Sequence, residues 1–325
     1  MAFDQFCLEE LEVDEPVFFL WQNAPAVIIG LNQNAYAEVN LPYLKQEGIM
    51  LARRVTGGGA VYHDLGNLNY TIVGRSSDLE RDYPGYLTYI IEALRSLGVP
   101  AELSGRNDIL VEGRKVSGYA KRVWKDRLMV HGTLMYDVDL TTLARALSVS
   151  TDKLEAHGIV SVRSRVANLK DYLPTLPTVT ALQNELEGIL SRHYADSEVR
   201  LTTAQLERIE EIARCRFATW EWNIGRSPLA TFTRTRRFSC GTIEARFAVE
   251  KGVLSALTFG GDFLGNRPAD ELASCLIGCR YEQDALAARL DTLPVADYFD
   301  RLTPAELLTL LIGEDIRGLS IENNE

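Results

Sequence analysis

Three consecutive glycines, Gly57, Gly58 and Gly59, follow Arg53, Arg54, Val55 and Thr56 and lead into Ala60, Val61, Tyr62, His63 and Asp64. Without a Cβ, glycine lets the backbone approach a ligand closely and reach positive φ. Successive free N–H groups in such a turn make an anion-binding concavity. A neighbouring arginine can fork onto phosphate or carboxylate oxygens. The run therefore reads as a phosphate or carboxylate cradle at a strand turn. Alone it is not specific, because a glycine hairpin between two strands has a similar composition.

A second segment narrows the chemistry. Gly105, Arg106, Asn107 and Asp108 precede a short apolar run at 109–111, a hairpin-type turn at Glu112 and Gly113, and a return run of Lys115, Val116, Ser117 and Gly118. Glycine inside a strand marks close approach of a ligand or another backbone. A glycine cradle, one lysine on a glycine-marked strand and an Asn-Asp pair are what an adenylating enzyme needs. Lys115 would hold a carboxylate beside a phosphate, and Asn107 with Asp108 can support Mg2+, which prefers oxygen ligands. Two anions must meet, so fixed positive charge and preorganised donors are required. Lys115 is assigned the catalytic role, as a protonated charge and not as a nucleophile. A surface lysine in a hairpin is the bland alternative, and Gly118 with Asn107 and Asp108 weighs against it.

Together these blocks resemble the lipoate-protein ligase A family, of the fold shared with biotin protein ligases. The family pattern Arg-Arg-x-x-Gly-Gly-Gly-x-Val-x-His-Asp-x-Gly-Asn is met at 53–67, and Gly-Arg-Asn-Asp…Lys-x-Ser-Gly at 105–118. Further matches are His-Gly-Thr-Leu at 131–134, Ser-Val-Arg-Ser-Arg-Val-Ala-Asn-Leu at 161–169, and Trp-Glu-Trp-Asn-Ile-Gly-Arg-Ser-Pro at 220–228. The resemblance implies an α+β protein: a catalytic domain with a large mixed or antiparallel sheet and flanking helices over 1–195, a connecting hinge helix over 196–220, and a small α+β C-terminal domain over 221–325. It implies activation of (R)-lipoate by ATP with Mg2+ to lipoyl-AMP. The lipoyl group then passes to a lysine of the acceptor domains of 2-oxoacid dehydrogenase complexes or of the glycine-cleavage H protein. It assigns ATP or adenylate contacts to Arg54, Thr56, Gly59, Ala60, Val61, Tyr62, Asn107, Asp108, Ser117 and Arg122. It assigns lipoate contacts to Gly57, Gly58, Gly59, His63, Lys115, Gly118, His131, Gly132 and Thr133, and a metal contact to Asp108. His63 is equally a structural histidine on these grounds. Arg163 and Arg165 either guide the acceptor or pair with surface acids. Leu31, Val61, Val73 and Leu134 are expected to line an acyl tunnel, although they would be core in any fold. The family usually has an opening strand before the segment resembling 2–11, and this sequence begins almost at that helix. Tyr119 is bulkier than the residue usual there, and Ala167 replaces a frequent threonine.

Other readings stay open at this stage. An octanoyltransferase of the same fold takes its acyl group from a carrier protein, and one branch uses a cysteine. No cysteine lies between Cys7 and Cys215, and transferases of this fold generally lack the C-terminal domain. A biotin ligase differs in its arginine-glycine loop. A non-catalytic lipoate-binding or carrier-binding module would keep the tunnel but lose the lysine or the nucleotide contacts.

Composition sets wider bounds. Among 325 residues, 46% are hydrophobic and 24% charged, ordinary for a globular protein of two domains. The net charge of −11 argues against general nucleic-acid binding. Within 114–127, however, Arg114, Lys115, Lys121, Arg122, Lys125 and Arg127 face one acid, Asp126, and this basic rim would attract an anionic ligand or an acidic carrier. No apolar run approaches the ~18 residues of a membrane span, and the N-terminus lacks a secretory signal. The scattered cysteines read as reduced thiols of a cytoplasmic protein, and a monomer is expected.

The elements that must position these residues follow from periodicity and turn chemistry. Residues 17–20 and 27–30 read as paired strands, 34–47 as one helix capped near Asn34, and 51–54, 60–62, 68–73 and 128–135 as strands. Helices are expected at 86–97, 140–147, 178–193 and 202–217. In the C-terminal part, strands at 229–237, 241–249 and 253–259 precede helices at 268–276, 283–290 and 304–312, the last with Thr303 and Pro304 as N-cap and N1.

Overall fold

The computed structural model describes residues 1–12, 15–75, 87–104, 107–147, 165–192 and 198–313. Gly105, Arg106, Arg163 and residues 161–164 of the fourth motif lie outside them. Two compact units are present, Met1–Gln33 with Glu38–Thr219, and Asn34–Ala37 with the chain from Trp220 onward.

The first unit is built on a six-stranded antiparallel sheet in the order β1 (Val17–Trp21), β5 (Asn67–Arg75), β9 (Arg127–Met135), β8 (Arg114–Trp124), β7 (Asp108–Val111), β6 (Ala101–Ser104). Alternation along β5 shows how the sheet divides its faces. Leu68, Tyr70 and Ile72 point into the apolar core, where they meet Leu87, Ile90 and Leu94 of the helix at 87–96 and Leu182, Leu186 and Leu190 of Val179–Leu190. The residues between them, Asn67, Asn69 and Thr71, are at most 1% exposed. A buried row of polar side chains on one face of a sheet is expensive unless each finds a partner. That face carries the site.

A second, three-stranded sheet orders β3 (Met50–Arg53), β2 (Ala26–Ile29) and β4 (Val61–His63), with β2 parallel to β3 and antiparallel to β4. The glycine run is the connection from β3 to β4. The expected pairing of 17–20 with 27–30 is therefore corrected. β1 pairs with β5, and β2 pairs with β3 and β4. The turn at Asn23, Ala24 and Pro25 passes the chain from one sheet to the other. The single helix expected at 34–47 is also corrected, to Ala35–Glu38 and Leu41–Glu47. Pro42 cannot continue a helix from the preceding turn, and Asn40 caps the second helix by accepting from Tyr43 N. Asn34 does cap the first, its Oδ1 accepting from Tyr36 N and Ala37 N.

The second unit has the three-stranded antiparallel sheet expected, β10 (Ala230–Phe238), β11 (Gly241–Glu250) and β12 (Val253–Gly261), with Lys251 and Gly252 at positive φ in the turn. Helices Ala269–Leu276, Gln283–Leu290 and Pro304–Ile312 follow, and Thr303 forms a capping box with Glu306. Asn34–Ala37 joins this unit through Asn34 Nδ2, which donates to Pro228 O, and through Tyr36, whose ring is 5.0 Å from that of Tyr281. No described helix is long and apolar enough to cross a membrane.

Candidate active site

The two arginines of the first motif shape the loop from behind. Arg53 is fully buried, and its Nη1 donates to the carbonyls of Gly30, Leu31 and Gln33. Arg54 donates from Nε to Thr56 Oγ1 (3.0 Å) and from Nη2 to Gly57 O (2.6 Å) and Gly59 O (2.8 Å). Burial lowers its pKa to about 10, still cationic at neutral pH. By gathering the loop's carbonyls, Arg54 keeps them out of the space beyond. The loop folds tightly over the end of β2, and a Cβ on Gly30 would lie 2.0 Å from Gly58 O. Gly58 itself has φ +92°, the left-handed region that favours glycine.

Lys115 reaches the same space because of a β-bulge. The β7–β8 register shifts between Ile109 and Leu110, so that Val116 and Ser117 are both buried while Lys115 and Gly118 share the other face. Glu112 and Gly113 close this hairpin at positive φ. Lys115 Nζ lies 2.7 Å from Asp108 Oδ1, each side chain about one-third exposed at 35%. A Cβ on Gly118 would come within 2.9 Å of both Cε and Nζ of Lys115. The strand glycine thus keeps room for the lysine tip. Asn107 braces the strand, its Nδ2 donating to Tyr119 O.

Between loop and lysine is a cavity of about 110 Å³. From the predicted residues it brings together Arg54, Gly59, Ala60, Val61, His63, Asn107, Lys115, Gly118, His131, Gly132 and Thr133. Thr56 lies just behind, its Oγ1 2.7 Å from His131 Nε2. Asp108 is held to the cavity through Lys115. Gly57 and Gly58 belong to the loop but do not line the cavity.

Other predicted residues are placed elsewhere. Alternation on β4 turns Val61 and His63 inward and Tyr62 away, and burial, with Asp64 and Asp139 nearby, pushes the Tyr62 hydroxyl up to about 12. Ser117 is fully buried on the core side, turned toward the Tyr70 hydroxyl. Arg122 donates to Val55 O and pairs with Glu9 at 3.6 Å, behind the loop. Gly132 contributes main chain to the cavity, but the space of its missing Cβ is taken by Tyr70, whose hydroxyl would be 2.3 Å from that Cβ. Of the four expected tunnel residues only Val61 lines the cavity. Leu134 faces the core with Leu68, and Val73 is fully buried at the far end of β5.

Sequence reasoning missed Met1, Trp21, Ile28, Asn69 and Ala120 in the cavity wall, and Tyr119, singled out there for its bulk, also lines it. Asn69 carried a legible signal, an asparagine between apolar residues on a strand. Trp21 did not, because an aromatic at a strand end is ordinary. His63 is buried, with Nδ1 bound to Asn23 Oδ1 at 2.9 Å and Nε2 without a partner among the described residues. Burial, aided by Arg54 and His131, drives its pKa down to about 3, so it is neutral at physiological pH.

A cationic glycine loop beside a partly apolar pocket, with one lysine held opposite, has the chemistry to accept a carboxylic acid beside a phosphate. Two family models match the chain, the lipoyl protein ligase A/B catalytic domain over residues 1–190 and the bacterial lipoate protein ligase C-terminus over residues 227–311. The chain belongs to the lipoate-protein ligase family. It is 37% identical over 319 residues to lipoate-protein ligase LplJ of Bacillus subtilis, covering 96% of this chain and 95% of that one. Among solved structures it is similar to the bipartite archaeal lipoate protein ligase of Thermoplasma acidophilum, studied with its E2 lipoyl domain, at TM-score 0.64 and 32% identity over 69% of this chain and 90% of that one. It is also similar to a lipoate-protein ligase A bound with ATP, at TM-score 0.61 and 32% identity over 69% and 92%.

Proposed function

We propose that this enzyme activates free lipoate with ATP to lipoyl-AMP and then transfers the lipoyl group to a lysine of an acceptor lipoyl domain. The observation that carries this reading is the single cavity shared by Lys115, the glycine loop and the apolar wall of Trp21, Ile28 and Val61. The acyl tail lies along the apolar wall with its carboxylate toward Lys115. A carboxylate oxygen attacks the α-phosphorus of ATP, the bond to the β-phosphate oxygen breaks, and pyrophosphate leaves. Lys115 remains protonated and stabilises the charge that builds between carboxylate and phosphate. Backbone N–H groups of the glycine loop bind phosphate oxygens. The acceptor amine then attacks the carbonyl carbon, AMP leaves, and the amine loses a proton.

Asp108 and Asn107 offer hard oxygen donors of the kind Mg2+ accepts, and one carboxylate is what a Mg2+ held mainly by phosphate oxygens and water asks of a protein. When bound, Mg2+ would neutralise phosphate charge beside Lys115. The catalytic role is assigned to 1–195, the connection to 196–220 and the accessory role to 221–325. The acceptors are lipoyl domains of 2-oxoacid dehydrogenase complexes or the glycine-cleavage H protein. The archaeal relative studied with an E2 lipoyl domain supports the first class. The enzyme is placed in the cytoplasm, as a monomer. No cysteine lines the cavity and the match to a ligase C-terminus covers 227–311, which favours ligase over octanoyltransferase. Mass spectrometry of an apo-lipoyl domain tests this choice. A mass gain of one lipoyl group with free lipoate and ATP is expected. Modification only from octanoyl-carrier protein would overturn the reading.

A further inference from the structure

Behind the glycine loop runs a buried chain of hydrogen bonds that sequence reading did not anticipate. Trp21 Nε1 donates to Thr71 Oγ1 at 2.9 Å, and Thr71 Oγ1 donates to Asp4 Oδ1 at 2.9 Å. Asp4 Oδ2 is 3.3 Å from His131 Nδ1, and His131 Nε2 is 2.7 Å from Thr56 Oγ1. Thr56 Oγ1 accepts from Arg54 Nε, and Arg54 holds the carbonyls of Gly57 and Gly59. Asp4, Thr71, His131 and Thr56 are 1%, 0%, 6% and 1% exposed.

The protons of this chain follow from donor and acceptor roles. A guanidinium only donates, and Arg54 Nε–H is shared between Thr56 Oγ1 at 3.0 Å and Gly57 O at 3.1 Å. The Thr56 hydroxyl proton is then free for His131 Nε2, the remaining partner its oxygen has among the described residues. The Asp4 carboxylate only accepts, so Nδ1 of His131 carries a proton that points at it, and in the singly protonated ring Nε2 accepts from the Thr56 hydroxyl. Asp4 accepts at both oxygens, and its carboxylate is the terminus on which donors converge from both directions. Burial pushes this carboxyl up, but the amino group of Met1 at 3.9 Å and the bonds from His131 and Thr71 pull it below its ordinary value.

We propose that Asp4 is a positioning residue. Through the tautomer of His131 and the hydroxyl of Thr56, it fixes Arg54 and with it the carbonyl orientation of the glycine loop. The inference rests in part on the ligase reading, because the loop's amides are taken to hold nucleotide phosphate. It also ties the two ends of the cavity together, since Trp21 in the wall and Arg54 under the loop belong to one bonded chain.

The proposal predicts a sign opposite to simple electrostatics. Removing a carboxylate near an anion site should tighten anion binding if charge alone matters. If Asp4 positions the loop, its loss weakens binding. Calorimetric titration of ATP is therefore compared for the wild type, Asp4→Asn and Asp4→Glu. About tenfold weaker binding is expected for Asp4→Asn, the loss of one charge-assisted hydrogen bond. Partial recovery is expected for Asp4→Glu, which keeps an acceptor. Independently of any activity, the chain has four histidines, so 15N-histidine NMR on the wild type, with His131 assigned by His131→Gln, reads the tautomer directly. A proton on Nδ1 and a bare Nε2 are expected. A proton on Nε2, or ATP binding to Asp4→Asn as tight as or tighter than to the wild type, would overturn the proposal. Failure of the wild type to bind ATP would instead count against the ligase reading, and the tautomer would still decide the role of Asp4.

Discussion

Gly118→Ala separates folding from chemistry at this site. Gly118 is not at positive φ, so alanine is compatible with the backbone and would itself stabilise the fold by about 0.4–1 kcal/mol through the unfolded chain. The new Cβ would start 2.9 Å from Lys115 Cε and Nζ. Ordinary carbon contacts lie at roughly 3.5–4.0 Å, so the lysine tip must retreat by roughly 0.6–1 Å. The tip is the free end of a flexible, partly exposed side chain, and its pair with Asp108 is worth about 0–1 kcal/mol at such exposure. Stability should therefore stay within about 1 kcal/mol of the wild type. Catalysis should not, because a misplacement of about 1 Å can cost about 100-fold. Adenylate formation followed by pyrophosphate release, alongside thermal unfolding, reads both quantities. Full activity in Gly118→Ala would refute the idea that this glycine keeps space for Lys115. Gly132→Ala is the control with the opposite expectation. Its Cβ would be 2.3 Å from the hydroxyl of Tyr70, a fully buried ring with nowhere to go. Overpacking of that kind should destabilise by about 1–3 kcal/mol.

Lys115→Met should retain the fold and slow adenylate formation by at least roughly 10²–10³-fold, the scale of a lost charge-stabilising donor. Single-turnover kinetics check it, and a near-normal rate would remove Lys115 from the mechanism. Gly30→Ala places a Cβ 2.0 Å from Gly58 O, so the exposed loop should give way and the KM for ATP rise roughly tenfold or more. His63, with its pKa lowered to about 3, takes up a proton in the unfolded chain before it does so in the fold. Its contribution to stability is thus complete above pH ~6.5 and falls by about 1.4 kcal/mol per unit as pH drops from there toward 3. Urea unfolding against pH should show His63→Gln with a shallower acid slope than the wild type.

Much of the site was legible because its chemistry needs residue types that have little structural use in such density. Three glycines after two arginines, and a lysine three residues before a strand glycine, marked the loop and the bulged strand that meet at the cavity. The strand–turn–strand geometry around Glu112 and Gly113 followed from turn chemistry alone. What failed was anything decided by partners distant in sequence. β1 and β2 look like a hairpin locally, yet register places them in different sheets. Gly132 does line the cavity, as expected, but the space of its missing Cβ belongs to Tyr70. Ser117 was expected at the nucleotide through the family resemblance, and the bulge opposite Ile109 and Leu110 turns it to the core side. Asp4 looked like any acid in the first turn of a helix. Its importance depends on His131, 127 residues away.

The central claim is that lipoate and ATP react in one cavity before any acceptor arrives. Exchange of labelled pyrophosphate into ATP, measured without acceptor protein and with lipoate, octanoate or biotin as the acid, tests it most directly. Lipoate-dependent exchange in the wild type, lost in Lys115→Met, is the expected result. Absence of exchange with every acid, from protein that binds lipoate, would contradict the account.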